Sequence, residues 1–87
     1  MRVDRTSQFK KSFKKADRKI QVATIKRLVL FAHATHHPLL NTHSLTGKWR
    51  GYYSINVTGD WRAIFRYSTD ETVLFVELGT HSQLFGK

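Results

Sequence analysis

The 87-residue chain contains no cysteine, a single proline and no long hydrophobic run. The absence of cysteine excludes disulfides, thiolate zinc sites and cysteine nucleophiles. The longest apolar run, residues 28–32, is far shorter than the roughly 20 residues that a membrane-spanning helix requires. The first residues are charged and do not resemble the apolar core of a secretion signal. These absences predict a cytoplasmic protein that does not span a membrane.

Acidic residues are also scarce, since six Asp and Glu stand against 15 Lys and Arg for a formal net charge of +9. Residues 1–30 hold ten of the cations and two of the acids, a net +8, whereas residues 31–87 carry a net +1. A hydrophobic content of 40% indicates a folded protein, and the length fits one domain, residues 1–87. We therefore expect an acidic partner: nucleic acid, an acidic protein or an anionic membrane surface.

Helix-like spacing of apolar residues covers the first part of the chain, after a short alternating segment at residues 1–6 that is typical of an edge strand. Thr6 or Ser7 can cap a first helix and Asp17 a second, which together form either a hairpin or one bent helix. The helical pattern ends by Pro38. In the second helix, Ile20 and Val22 extend an apolar side formed by four residues with i, i+3, i+4, i+7 spacing, and this side is expected to face the core: Ile25, Leu28, Val29 and Ala32.

From residue 39 the apolar period changes towards two, with glycines between the segments. The pattern predicts strands at residues 39–45, 52–57, 60–67 and 72–78. Consecutive strands joined by short turns indicate an antiparallel meander. The fold class is therefore α+β, in the order β-α-α-β-β-β(-β), with two helices packed on one face of a twisted antiparallel sheet.

Three histidines near the end of the helical region have metal-ligand spacing: His33, His36 and His37. No carboxylate lies near them in sequence, and Pro38 follows at once. We interpret them as polar residues at a helix C-terminus, where the helix dipole favours positive charge. No metal site and no cofactor are predicted.

The sheet region carries residues suited to acid/base chemistry on RNA. His43 and His81 provide imidazoles, and Asp60 lies at a predicted hairpin turn. Such groups can remove a proton from a 2′-hydroxyl and donate one to the leaving oxygen. Arg62 and Arg66 share one strand face, which is either a solvated surface or, with Lys48 and Arg50 nearby, a phosphate-binding site.

Two motifs add to these observations: Leu45-Thr-Gly-Lys-Trp-Arg-Gly-Tyr52, and Gly79-Thr-His-Ser-Gln-Leu-Phe85. With Asp60-Trp61-Arg62 between them, the sequence resembles the YafQ branch of the RelE/ParE toxin superfamily. The resemblance implies a ribosome-dependent mRNA endoribonuclease and toxin, with a microbial-ribonuclease-like fold. It implies as partners a cognate acidic antitoxin, mRNA on the ribosome and ribosomal RNA, and no membrane.

The active-site positions of that family fall on His43, Asp60, Trp61, His81 and Phe85. The resemblance implies that His81 is the general acid and that Asp60 or His43 is the general base. The sequence has Asn56 where the YafQ branch often has another histidine, and its Ile-Asn-Val-x-x-x-Trp-Arg run resembles the HigB branch instead. The division of labour between acid and base is therefore left open.

The same resemblance implies how RNA is held. Phe85 and Trp61 stack on or position a base, while Arg62 and Lys48 stabilise charge in the transition state. The remaining expected RNA contacts are Arg50, Arg66, Lys10, Lys11, Lys14 and Lys15.

Other interpretations of the same residues remain. Trp49, Trp61 and Phe85 are large enough to belong to the core of so small a domain.

The chain is alternatively a ParE-like toxin that poisons DNA gyrase, although toxins of that branch typically lack the histidines. A third alternative is a non-catalytic module that binds RNA or the ribosome, for which the charge matters and the imidazoles do not.

Overall fold

The computed structural model describes residues 1–86 and has the predicted α+β architecture, with helices packed on a five-stranded sheet. The elements in chain order are β1 (Arg2–Arg5), α1 (Ser7–Lys15), α2 (Arg18–His33), β2 (His43–Ser44), β3 (Tyr53–Asn56), β4 (Trp61–Thr69), β5 (Thr72–Thr80) and α3 (His81–Phe85). The strand order across the sheet is β1-β5-β4-β3-β2. Within residues 1–86, every helix is too short or too polar to cross a membrane.

Both predicted helix caps are present, and they make α1 and α2 two separate helices. The Thr6 hydroxyl accepts the backbone N–H of Phe9 at 3.1 Å. The Asp17 carboxylate accepts the N–H of Ile20 at 3.1 Å. Each cap satisfies a backbone donor that the first turn of a helix leaves free. The backbone is extended at Ala16 and Asp17, so α1 and α2 are two helices separated by a break rather than one bent helix.

The sheet is mixed, whereas an antiparallel sheet was predicted. Strands β2 to β5 are antiparallel neighbours as expected, but β1 runs parallel to β5, with Arg2 opposite Thr72 and Arg5 opposite Phe75. Parallel neighbours require a long crossover connection. Here the connection runs from residue 6 to residue 71. The apolar pattern within β1 therefore could not show in which direction this strand runs relative to β5. Its prediction as an edge strand is confirmed.

The strand predicted at residues 39–45 is wrong over most of its length. A 3-10 turn occupies Pro38–Leu40, and only His43–Ser44 pair with β3. Proline fixes its own φ and lacks an N–H for a strand ladder. Asn41 then adopts a left-handed conformation with φ of 47°. These two residues turn the backbone away from the extended path until His43.

The main core lies between the helices and one face of the sheet. Phe31 of α2 packs edge-on against Phe65 and Phe75, with ring centroids 4.8 and 5.4 Å away. Strand alternation brings Ile55 and Ala63 to the same face, where they pair across β3 and β4. These contacts fix which face of the sheet the helices cover.

The prediction that all four spaced apolar residues of α2 face the core is wrong for Ile25 and Val29. The buried side of α2 runs through Ile20, as predicted, and through Thr24 and Phe31, whereas Val22 is exposed. Ile25 is the residue after the buried Thr24 and so points to a different side of the helix, together with Val29 one turn later. The two side chains are 54% and 56% exposed. Leu28 packs partly against the core, and Ala32 is partly buried. The exposed pair borders a groove between α2 and β1 rather than the core.

The other face of the sheet is covered in part by α3, a helix that was expected to be only a turn at Gly79-Thr80. The Thr80 hydroxyl accepts the N–H of Gln83, and the Gln83 side chain accepts the N–H of Thr80. This reciprocal capping box is the sequence signal that identifies the helix start. The Trp49 indole N–H donates to the Leu84 carbonyl at 3.0 Å, which ties the 3-10 turn at Gly47–Trp49 to α3.

We predict that Gly79→Ala destabilises the protein. A Cβ at this position lies 3.1 Å from the Gln83 side chain and 3.2 Å from that of Leu84. Gln83 is held by the capping box and Leu84 is buried, so neither yields freely. Overpacking of this kind costs about 1–3 kcal/mol, and each kcal/mol lowers Tm by about 4–8 °C in a domain of this size.

Gly59→Ala is the matched control, because a Cβ there meets nothing within 4 Å. Its free energy of unfolding, measured by urea titration, should stay within about 0.5 kcal/mol of wild type. Equal stability of the two variants would show that α3 does not lie tightly on β5.

Candidate active site

A pocket of about 310 Å³ lies on the face of the sheet opposite the main core. Its lining residues come from the strands β2, β3 and β4, from the segments on either side of β2, and from α3: Asn41, His43, Leu45, Ser54, Arg62, His81 and Phe85. Four of these, His43, Arg62, His81 and Phe85, are predicted site residues. Positions about 40 residues apart in sequence therefore meet in one place.

His43 is positioned by the start of β2, where it pairs with Ser54 of β3. Its Nδ1 lies 2.7 Å from the Asn41 carbonyl. Because a carbonyl only accepts hydrogen bonds, this contact places the proton on Nδ1. In the neutral ring Nε2 then has a free lone pair, which is the state required of a proton acceptor.

His81 is the first residue of α3, and its position depends on backbone contacts. Its N–H donates to the Asp60 carbonyl at 2.9 Å, which joins α3 to the β3–β4 hairpin. Phe85 follows one helical turn later, and its ring centroid lies 4.9 Å from that of His81. The His81 side chain is exposed while Phe85 is half-buried. The short helix thus presents an accessible imidazole and an aromatic surface side by side.

Arg62 of β4 contributes the positive charge of the pocket. One guanidinium nitrogen lies within hydrogen-bond distance of three hairpin carbonyls, those of Thr58, Gly59 and Trp61, at 3.1–3.2 Å. These contacts hold the guanidinium plane without neutralising its charge. Its remaining donors form no hydrogen bond to residues 1–86, so they can bind an anion.

Asp60 lies in the turn between β3 and β4, beside the pocket but not in its lining. The residue is exposed, and its carboxylate forms no hydrogen bond to the described part of the chain. The backbone of Asp60 contacts His81, whereas its carboxylate does not meet the imidazoles in this structure. The structure therefore brings Asp60 next to the site and leaves its side chain outside.

The other predicted RNA-binding residues also lie outside the pocket. Trp61 packs against the main core and lines a separate cleft with Ser12 and Lys15. Lys48 and Arg50 are exposed at the Gly47–Trp49 turn, and Arg66 is exposed further along β4. The four predicted lysines of α1 are all exposed: Lys10, Lys11, Lys14 and Lys15.

Three of the six acids of the chain form side-chain contacts away from the pocket. Asp17 caps α2, and Glu77 accepts hydrogen bonds from the Ser12 hydroxyl and the Leu78 N–H. Among residues 1–86 the single salt bridge joins Arg2 and Asp4. No carboxylate lines the pocket that holds His43, Arg62 and His81. The site is therefore suited to an anionic ligand.

Two of the three histidines at and just after the end of α2, His33 and His37, make local contacts. His33 Nδ1 lies 3.0 Å from the Val29 carbonyl, and His37 Nδ1 accepts the Leu39 N–H. The helix ends at His33, so the i, i+3, i+4 spacing does not place the three rings on one helical face. The described residues contain no cluster of three His, Asp or Glu side chains able to hold a metal ion.

Sequence reasoning missed Asn41, Leu45 and Ser54. Ser54 lies on the strand face opposite Ile55, and alternation alone indicates that it faces away from the core. Nothing in the sequence, however, shows that residues of α3 and of the segments on either side of β2 surround this serine.

Comparison with known proteins places the site in context. A family model described as the bacterial toxin YafQ of type II toxin-antitoxin systems matches residues 1–86. A sequence search of curated proteins finds no match. Crystalline YafQ from E. coli is 28% identical, with a TM-score of 0.76 over 99% of this chain and 100% of that one.

Toxin from the E. coli DinJ-YafQ complex is also 28% identical, covering 99% of this chain and 100% of that one with a TM-score of 0.69. A YoeB/ParE toxin from Agrobacterium tumefaciens shares the fold at 15% identity, covering 93% and 99% of the two chains with a TM-score of 0.75. The match over nearly the whole chain leads to one conclusion: the protein belongs to the YafQ family of bacterial toxins of type II toxin-antitoxin systems.

Proposed function

We propose that this toxin is a ribosome-dependent mRNA endoribonuclease that cleaves RNA by acid/base chemistry of its own side chains. The observation that carries the proposal is the convergence of two imidazoles and one guanidinium on a single pocket with no carboxylate in its lining. Imidazoles can exchange protons near neutral pH, and the guanidinium can stabilise a phosphate that gains negative charge. RNA supplies its own nucleophile, the 2′-hydroxyl.

The proposed reaction is an internal transfer. The base removes the proton of the 2′-hydroxyl, and the resulting oxygen attacks the adjacent phosphorus. The bond between phosphorus and the 5′-oxygen breaks as the new one forms, leaving a 2′,3′-cyclic phosphate. His81 donates a proton to the departing 5′-oxygen, and Arg62 stabilises the charge on the phosphoryl oxygens.

His43 is the better supported of the two candidate bases. It lines the pocket, and its contact with the Asn41 carbonyl leaves Nε2 able to accept a proton. Asp60 lies in the adjacent turn with its carboxylate outside the lining. Asp60 remains the alternative base because the turn is exposed and apo geometry alone does not exclude a candidate.

Aromatic and basic residues around the pocket provide RNA binding. Phe85 offers a face for base stacking, which contributes about 1–3 kcal/mol per base. Outside the pocket, the exposed lysines of α1 have no ion-pair partner among residues 1–86, which suits them to ribosomal RNA phosphates. The set of outer RNA contacts that we propose is completed by Lys48, Arg50, Trp61 and Arg66.

The antitoxin is the proposed protein partner. The E. coli relative is described in a DinJ-YafQ complex, and we propose that this chain likewise binds a cognate, acidic antitoxin. The groove between α2 and β1 offers apolar contacts through Met1, Val3, Ile25 and Val29. Arg5 is part of its lining, and Arg2, Lys26 and Arg27 follow lining residues closely in sequence. An acidic segment with apolar side chains fits both properties.

We predict that His81→Ala lowers the rate of mRNA cleavage by programmed ribosomes about 10²- to 10⁴-fold, since one positioned proton donor is lost. The side chain is exposed, so the thermal midpoint should be unchanged. The matched control is His36→Ala, which removes another exposed histidine far from the pocket lining and should leave the rate unaltered.

Primer extension on mRNA from induced cells should show cuts in phase with codons for wild type and none for His81→Ala. In the same assay His43→Gln should cost more activity than Asp60→Asn. Full activity of His81→Ala would contradict its role as the acid. Growth arrest by wild type without any mRNA cut would favour the gyrase-poisoning or non-catalytic alternative.

We predict that Val29→Asp weakens antitoxin binding at least tenfold in calorimetry, because it removes apolar burial of about 1.5 kcal/mol or more and adds a charge that repels an acidic partner. mRNA cleavage by the free toxin should not change. Leu39→Asp is the control, as Leu39 is 59% exposed and lies outside the groove. Equal weakening by both variants would show that total charge, rather than the groove, governs binding.

A further inference from the structure

Two buried side-chain oxygens have no hydrogen-bond partner within residues 1–86: Ser54 Oγ and Asn56 Oδ1. Ser54 is 1% exposed. Buried polar groups are nearly always hydrogen-bonded, and each exception requires an explanation. The two residues are two apart on β3, so they lie on the same face of the sheet. That face is the one that carries the candidate active site.

The register of the sheet places Ser54 among the proposed catalytic groups. It pairs with His43 of β2 on one side and with Ile64 of β4 on the other. Ser54 lines the pocket together with Arg62 and His81, whereas Asn56 does not line it. The unpaired hydroxyl therefore belongs to the buried wall of the pocket.

The surroundings of Ser54 define which ligand atom it can bind. A serine hydroxyl donates one hydrogen bond and can rotate to meet an acceptor. The Arg62 guanidinium favours a negatively charged ligand, and no carboxylate in the lining competes with it. A hydrogen bond from a hydroxyl to an anionic oxygen is stronger than one between neutral groups. An oxygen of a phosphate group fits these requirements.

We propose that the Ser54 hydroxyl donates a hydrogen bond to a non-bridging oxygen of the RNA phosphate bound in this pocket. Its identification as the scissile phosphate rests on the proposed ribonuclease function. Ser54 then acts with Arg62 on the charge that develops during attack by the 2′-hydroxyl. The hydroxyl is unpaired in the free protein because its partner is the substrate.

The first test compares stability with activity. Ser54→Ala removes an unpaired hydroxyl, so Tm should stay constant or rise, whereas the loss of a structural hydrogen bond would lower it. The rate of cleavage at saturating ribosomes should fall about 100-fold, the loss seen when one donor to a developing oxyanion is removed. Ser54→Cys, with a weak donor of similar size, should have an intermediate rate. Ser44→Ala is the control, since Ser44 is exposed on β2.

A phosphorothioate at the scissile position distinguishes direct contact from an indirect effect. Sulfur is a poor acceptor, so one diastereomer should slow wild type, and the same diastereomer should slow Ser54→Ala much less. Equal sulfur effects in both proteins, for both diastereomers, would overturn the contact.

A binding measurement tests the contact without cleavage. Inorganic phosphate, titrated into ¹⁵N-labelled protein, should shift the amide resonances of the pocket residues, and Ser54→Ala should weaken this binding about tenfold. If wild type cuts no mRNA but phosphate binding depends on Ser54, the ribonuclease proposal fails and the phosphate contact stands. Unchanged phosphate binding, or a lowered Tm for Ser54→Ala, would overturn the contact itself.

Discussion

The packing of Phe31 against Phe65 and Phe75 determines the arrangement of the rest of the molecule. These three rings press α2 onto one face of the central strands and commit that face to the core. Side chains alternate along a strand, so the neighbouring residues of β3 and β4 must project from the other face. Ser54 and Arg62 are two of them. The site exists because the core occupies one side of the sheet completely.

The second face is closed by a small number of specific contacts. Gly79 leaves room for α3 to lie close to β5, and the capping box at Thr80 starts that helix at His81. The indole of Trp49 holds the far end of the helix through the Leu84 carbonyl. The two motifs that indicate the family, residues 45–52 and 79–85, therefore both stabilise the position of α3. They bring His81 and Phe85 over strands that lie far away in sequence.

Much of the fold could be predicted from the sequence because its signals are local. The caps at Thr6 and Asp17 and the alternation in β4 depend on nearby residues only. The parallel pairing of β1 with β5 and the exposure of Val29 depend on how distant elements dock, which periodicity does not report. For the site, the residue types and the resemblance together predicted His43, Arg62, His81 and Phe85, and these four line one pocket. Ser54 was missed because the residues around it come from α3 and from the segments on either side of β2, which local patterning does not bring together. The distribution of charge, in contrast, can be read directly from the sequence. Residues 1–30 carry a net charge of +8, and residues 31–87, which contain the pocket, carry a net +1. The positive charge in the pocket lining is that of Arg62.

We propose that the pocket cleaves RNA by attack of the 2′-hydroxyl on the adjacent phosphate. The most direct measurement uses ribosomes programmed with mRNA that carries a single 2′-deoxynucleotide immediately 5′ of the scissile phosphate. We expect this substitution to abolish the cut, while unmodified mRNA yields a 2′,3′-cyclic phosphate end and a 5′-hydroxyl end. Cleavage of the 2′-deoxy substrate at an undiminished rate would exclude this mechanism, because the nucleophile would then have to come from elsewhere.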